Sequence, residues 1–201
     1  MRCLVIETSG PACSVALVED RNVVASRHEL LGRGHAERLL PWIAGLPGGG
    51  RADEIVAGCG PGSFTGVRVA IAAARGLGLG WGVPVRGGSS LALIAAGIDQ
   101  EQAVIALEGG HGELFVQAFS GRPLIGIGVP VSQAPAAAAQ MFGPCAAFGS
   151  GAPRLVEAWG AGSAELAEPR ADAFINTPAA ALLPAATPIY GRGADARLSV
   201  Q

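Results

Sequence analysis

Three strand-like runs joined by two tight turns open the chain, and this order restricts the fold more than any other feature. Residues 1–7 read as a buried strand and Thr8-Ser9-Gly10-Pro11 as a turn. Residues 14–19 form a second run, with Val15, Leu17 and Glu19 at alternate positions, and Asp20-Arg21 leaves room only for a hairpin into residues 22–27. Connections this short force antiparallel pairing. The period then lengthens to that of helices. Residues 37–44 are helical, 55–58 a short buried strand, 63–81 a long helix, 83–86 a strand and 89–96 a helix.

A meander followed by alternating helix and strand is the order of a ribonuclease-H-like lobe, as in actin and sugar kinases, one of several α/β orders that fit. Beyond Ile98 the pattern weakens. Residues 104–107 and 114–119 read as a hairpin, 134–142 as an alanine-rich helix, and 146–148 as a short strand leading into Gly149-Ser150-Gly151. The expected architecture is α/β with two unequal lobes. Residues 1–99 form the ribonuclease-H-like lobe that carries the interface helices. Residues 100–201 form a smaller, degraded lobe whose tail from Pro169 is mostly irregular.

Composition excludes several classes. Half of the 201 residues are hydrophobic and 15% are charged, which is apolar enough to suggest surface held against a partner. Arg68, Arg75, glycines and Pro84 interrupt the longest apolar stretch, so no membrane span is expected, and no signal-peptide pattern opens the chain. A cytoplasmic protein is the expectation. The net charge is −2 and lysine is absent, with no basic stripe of the kind that grips nucleic acid directly. Cys3, Cys13, Cys59 and Cys145 lack Cys-x-x-Cys spacing and read as reduced thiols.

The glycine loop of residues 60–66 follows a buried strand and opens the long helix, with Ser63 as N-cap. Exposed backbone N–H groups at a helix N-terminus make an anion site physically reasonable at Gly60, Gly62 and Ser63; equally, the glycines could serve only a sharp turn. The helix behind the loop is charge-free except for Arg68 and Arg75, seven residues apart on one face. Gly66, Ala70, Ala73, Ala74 and Gly78 would let another backbone approach, so a subunit interface is expected there, with the helix of residues 37–44 beside it. Ala74→Arg should then leave the monomer folded and cripple association, while the Arg68/Arg75 face should tolerate change.

Glu7-Thr8-Ser9, residues 12–17, 33–41 and 60–68, Ala74-Arg75-Gly76-Leu77, Gly82-Val83-Pro84 and Ser89-Ser90-Leu91 occur in the order seen in the TsaB family, also called YeaZ. The similarity is strong over about the first hundred residues. Thereafter Ala106-Leu107-Glu108, Gly112-Glu113-Leu114-Phe115 and Ile189-Tyr190-Gly191-Arg192 resemble the family's central hairpin and C-terminal signature. The resemblance implies an actin-like ASKHA fold of the glycoprotease-like superfamily. It also implies a non-catalytic subunit that pairs with a TsaD-type catalytic paralogue, a TsaE-type ATPase completing the complex. Such complexes place a threonylcarbamoyl group on N6 of adenosine 37 in tRNAs reading codons that begin with A. Implied partner contacts are His35, Leu39, Leu40, Gly66, Val67, Ala70, Ile71, Ala73, Ala74, Leu77 and Gly78, with a homodimer when the chain is alone. The positions of Glu7 and Glu108 lie near phosphate and metal in active relatives, and Thr8, Ser9, Gly60, Gly62 and Ser63 are the other candidates for an anion- or nucleotide-proximal place; no cofactor is expected in this chain by itself, ATP or ADP with magnesium being left to the complex, and tRNA is reached only through it. Two departures stand out: glutamate replaces the usual aspartate at Glu7 and Glu108, and the shortened stretch of residues 42–53 implies a truncated first helix.

No catalytic or metal site is expected in this chain alone. The catalytic paralogue carries a His-x-x-x-His pair where this chain has Ser90 and Ile94, and neither supplies an imidazole. His28, His35 and His111 show no ligand spacing, and His35 and Glu37, two apart, diverge on a helix. The rival readings are a stand-alone protease-like hydrolase, with Ser63 or Ser90 as nucleophile, and a small-molecule kinase on the same fold.

Overall fold

A computed structural model describes residues 1–191, so Arg192 of the C-terminal motif lies outside the described residues. The first lobe contains β1 (Arg2–Glu7), β2 (Ala12–Glu19), β3 (Asn22–Leu30), α1 (His35–Ala44), β4 (Glu54–Gly58), α2 (Phe64–Trp81), β5 (Val85–Gly88) and α3 (Ser90–Ala96). The second contains β6 (Gln102–Glu108), β7 (Leu114–Ser120), β8 (Ile125–Gln133), α4 (Pro135–Met141), β9 (Ala146–Phe148), α5 (Ala152–Trp159) and β10 (Ser163–Glu165). A last strand, β11 (Leu182–Leu183), returns to the first lobe.

Both sheets follow one plan. In the first, ordered β11-β5-β4-β1-β2-β3, β1 pairs antiparallel with β2 and β2 with β3, while β1–β4 and β4–β5 are parallel. The second, β10-β9-β6-β7-β8, repeats this: β6–β7 and β7–β8 antiparallel, β6–β9 and β9–β10 parallel. Two such lobes in succession are the actin-like ASKHA fold. The second lobe holds more regular structure than the sequence suggests, since β8, α5 and β10 were not expected.

Local chemistry explains the main boundaries. Asp20 and Arg21 adopt positive φ (48° and 64°), the twist that suits a two-residue hairpin. The Ser63 hydroxyl caps α2 by accepting from Gly66 N–H, and Ser89 caps α3 from Ala92 N–H. Gly82, at φ 69°, ends α2 in a left-handed cap that costs a glycine least. α1 stops at Ala44 and a glycine turn follows, with Gly48, Gly49 and Gly50 at positive φ (67°, 68° and 69°), consistent with a short first helix.

One face of the first sheet packs Leu4, Ile6, Leu17 and Ile55 against Leu39 and Ile43 of α1 and Val67, Ala70 and Ile71 of α2. The opposite face, with Val5, Ala16, Val18 and Val56, is closed by the chain's own tail, through Ala171, Phe174 and Ile175. That tail has little regular structure, yet it is well anchored. Ala171 N–H donates to Ser14 Oγ (3.0 Å), β11 extends the sheet at β5, and Ile189 N–H donates to the Cys59 carbonyl (2.7 Å).

Candidate partner interface and interlobe cleft

The glycine loop is held by the turn between β1 and β2. Ser63 N–H donates to the Ser9 carbonyl (2.7 Å), Ser90 N–H to the Gly60 carbonyl (2.8 Å), and the Thr8 hydroxyl to the Gly66 carbonyl (2.7 Å). A Cβ at Gly62 would lie 2.5 Å from the Ser9 carbonyl oxygen, and one at Gly66 would run into that of Thr8. These two glycines are therefore required by close approach within the chain, and that accounts for them without an anion.

Glu7 is fully buried beneath the same loop. Its carboxylate accepts from Ser9 N–H and from the Ser90 hydroxyl (2.7 Å), and the Ser9 hydroxyl donates to Ser90 Oγ (2.8 Å). Burial raises its pKa above the ordinary glutamate value, against the opposing pull of these hydrogen bonds. Half-buried Glu168 is also raised, first by burial and then by the charge of Glu7. Thus Ser90 binds the Glu7 carboxylate within the core.

A cleft of about 1020 Å³ lies between the lobes. Of the residues expected near an anion, Ser9, Gly62, Ser63 and Glu108 line it, whereas Glu7, Thr8 and Gly60 do not. Glu108 is engaged by Arg154 (2.7 Å), whose other nitrogen donates to the Gly112 carbonyl (2.9 Å). Ser63 is occupied as the helix cap. His35 lines the cleft, with its Nε2 buried and without a hydrogen-bond partner. Among the described residues no three of His, Cys, Asp and Glu group closely enough to hold a metal ion.

The helix faces require a correction. Gly66, Val67, Ala70, Ile71, Ala74 and Gly78 are buried against the chain's own sheet, as is Leu39 of α1, so none presents surface to a partner. A Cβ at Gly78 would run into the Val85 side chain. Leu40 is 51% exposed, and His35, Ala73 and Leu77 are half-buried. The outward face of α2 consists of Thr65, Arg68, Ala72, Arg75, Gly76, Leu79 and Gly80, with Leu79 88% exposed, and α1 adds Ala36, Leu40 and Ala44. Sequence reasoning missed an aromatic pair at the start of this face. The Phe64 and Tyr190 rings lie 5.9 Å apart, and the Arg68 guanidinium sits 3.7 Å over Phe64. Its one legible signal is the spacing of Phe64 and Arg68, four apart on a helix.

A family model described as TsaD, tRNA N6-adenosine threonylcarbamoyltransferase, matches residues 21–123, just over half of the 201-residue chain. The chain belongs to this family. Within it, the similarity is to TsaB/YeaZ members. The tRNA threonylcarbamoyladenosine biosynthesis protein TsaB of Escherichia coli is 45% identical over 102 residues, which cover 48% of this chain and 44% of that protein. The chain thus spans less than half the length of this curated relative. Likeness to solved structures extends much further. YeaZ from Pseudomonas aeruginosa superposes with a TM-score of 0.80 at 27% identity, covering 94% of this chain and 99% of that one. A second Pseudomonas aeruginosa structure, titled as uncharacterized with similarity to peptidase YEAZ, gives 0.81 at 28% identity over 95% and 99%. Among the described residues no helix is long and apolar enough to cross a membrane.

Proposed function

We propose that this chain is a non-catalytic subunit in the formation of N6-threonylcarbamoyladenosine on tRNA, docking a TsaD-type catalytic subunit through the outward face of α1 and α2. The observation that carries this reading is a pair of glycines. Gly76 and Gly80 lie inside α2, exposed, with open space where a Cβ would sit and no positive φ to require glycine. Each costs about 1 kcal/mol relative to alanine in a helix interior, and nothing among the described residues offsets that. A helix of another subunit crossing closely would. The neighbouring Ala72, Leu79 and Leu40 supply small and apolar contacts on the same surface.

The non-catalytic part rests on the state of the polar groups. Ser63 is used in capping, Ser90 donates to Glu7, and neither bonds a histidine, which disfavours the hydrolase reading. Glu7 is enclosed and Glu108 is paired with Arg154, so neither of the two carboxylates expected near phosphate and metal is free to hold magnesium in this chain alone. In the proposed arrangement, ATP or ADP and magnesium belong to the complex with the TsaD-type and TsaE-type subunits, and tRNA is reached through that complex. Gly76→Leu tests the docking surface without changing charge. Calorimetry with the TsaD-type subunit of the same genome should show at least a hundredfold weaker binding, about 2.7 kcal/mol, with an unchanged melting temperature. Unchanged affinity would remove this face as the docking surface.

A further inference from the structure

The chain passes between the lobes at residues 97–101 and again at 166–170. These passages run side by side: Gly97, Ile98, Leu166, Ala167 and Glu168 border one groove of about 380 Å³, which contains neither Phe64 nor Phe115. Beside them α3 packs Leu91 and Ile94 against Phe119 and Leu124 of the second lobe. Neighbouring passages and one shared helix make a pivot, since a few residues at the ends of packed elements can absorb a rotation.

A third link lies on the walls of the interlobe cleft. Ile189 N–H donates to the Cys59 carbonyl (2.7 Å), and its side chain packs against the first-lobe core. The Tyr190 ring lies 5.9 Å from that of Phe64, within the range of favourable aromatic pairs, and its hydroxyl accepts from Arg68 Nη2 at 3.4 Å. Gly191 then meets the second lobe. Its carbonyl accepts from Ser132 N–H on β8 (3.0 Å), and a Cβ on it would lie 2.5 Å from the Phe115 ring. Its φ is not positive, so close approach alone calls for glycine there. Phe64 lines the cleft from the first lobe and Phe115 from the second, so three consecutive residues reach from one wall to the other.

We infer that Ile189, Tyr190 and Gly191 form a tie across the interlobe cleft that fixes how far the lobes stand apart, and that its release lets them turn about α3 and the paired passages. The tie is weaker than the bodies it joins. It consists of two main-chain hydrogen bonds and a ring pair, and Tyr190 is 52% exposed, whereas each lobe has a buried core of its own. Segments held by few buried contacts open at a lower free energy than the whole chain unfolds, so the tie can part while both lobes stay folded.

The test reads the separation of the lobes in the full chain. Spin labels go on Arg38→Cys in α1 and Glu157→Cys in α5, both exposed, with Cys145→Ser removing the one cysteine that is not buried. Pulsed dipolar spectroscopy should give a single narrow distance when the tie is intact. Gly191→Leu puts a side chain where the Phe115 ring stands and should at least about double the width of that distribution. The Ser132 amide, no longer held by the Gly191 carbonyl, should exchange its hydrogen at least about tenfold faster. Tyr190→Ala, which removes the ring pair and keeps Gly191, should move both readings in the same direction. A narrow distance in both variants overturns the tie, even if Ser132 exchanges faster, because the contact would then be made without holding the lobes. A broad distribution before any change to the tail also overturns it. If Gly191→Leu melts early, Tyr190→Ala decides by the same two readings.

Discussion

Along α2, Gly66, Ala70, Ala74 and Gly78 face the first sheet, while Ala72, Gly76 and Gly80 face outward. The two series have the same spacing of four and nearly the same composition. They differ in what a methyl group would meet. A Cβ at Gly78 collides with Val85 and one at Gly66 with the Thr8 carbonyl, whereas at Gly76 and Gly80 it meets nothing within 4 Å. The inward series is small so that the helix can lie close on its own sheet. The outward series is small with no cause among the described residues, and that contrast supports the docking proposal.

The largest expected effect separates the two faces directly. Ala74 has no exposed surface, so Ala74→Arg forces an unpaired guanidinium into the core and should cost about 3–5 kcal/mol. This reverses the expectation from sequence that the variant would fold and lose only its partner. Ala72→Arg, two residues away and exposed, should melt close to the unaltered chain. Equal melting temperatures for the two variants would erase the distinction between the faces.

The sequence of α2 is apolar almost all round, so periodicity locates the helix without orienting it, and the small residues expected at an interface face the sheet instead. Other features were legible. The three antiparallel strands, the Ser63 cap and the order of helices follow from turns and periods that local chemistry sets. β8 was not, because glycines at 126 and 128 and a proline at 130 break its alternation, and Gly128 sits at φ 66° beside a register shift. The return of the tail to the first sheet depends on contacts across more than 100 residues, such as Ser14 with Ala171, and no local pattern encodes them. In the candidate site, Glu7, Thr8 and Ser9 lie against the glycine loop, but their burial and mutual hydrogen bonding are products of packing.

A second, smaller effect lies at the buried end of the inward face. Glu7 has a pKa raised above the ordinary value of 4.5, so the folded chain keeps a proton that the unfolded chain releases once the pH passes that value. Stability therefore falls as pH rises from about 4.5 through the raised pKa, and levels off above it. Glu7→Gln should remove this component, with the Ser90 hydroxyl turning to accept from the new amide. Denaturant melts of both chains between pH 4 and pH 8 (roughly the window in which a raised carboxyl titrates) should show the glutamine variant gaining relative stability as pH increases. Glu168 shifts in the same direction, so its contribution stays in both chains and drops out of the difference apart from its coupling to Glu7. A difference that does not change with pH would mean Glu7 is not titrating in the core.

The smallest effect sharpens the comparison furthest, because it has opposite signs on the two faces. Gly76→Ala and Gly80→Ala each remove a flexible residue from a helix interior and add a methyl group to open space. Each should stabilise the isolated chain by roughly 0.5–1 kcal/mol, which is about 1–4 °C in melting temperature for a chain of this size. Gly78→Ala makes the same chemical change two residues away, on the opposite face, but its methyl group must displace the Val85 side chain, so it should destabilise by roughly 1–3 kcal/mol. If the outward glycines exist for a partner helix, the two stabilising changes should also weaken association, since a methyl group pushes that helix away. Gain in the isolated chain with loss in the complex is the signature of a residue kept small for another subunit. Gain in both would show that Gly76 and Gly80 serve no contact at all.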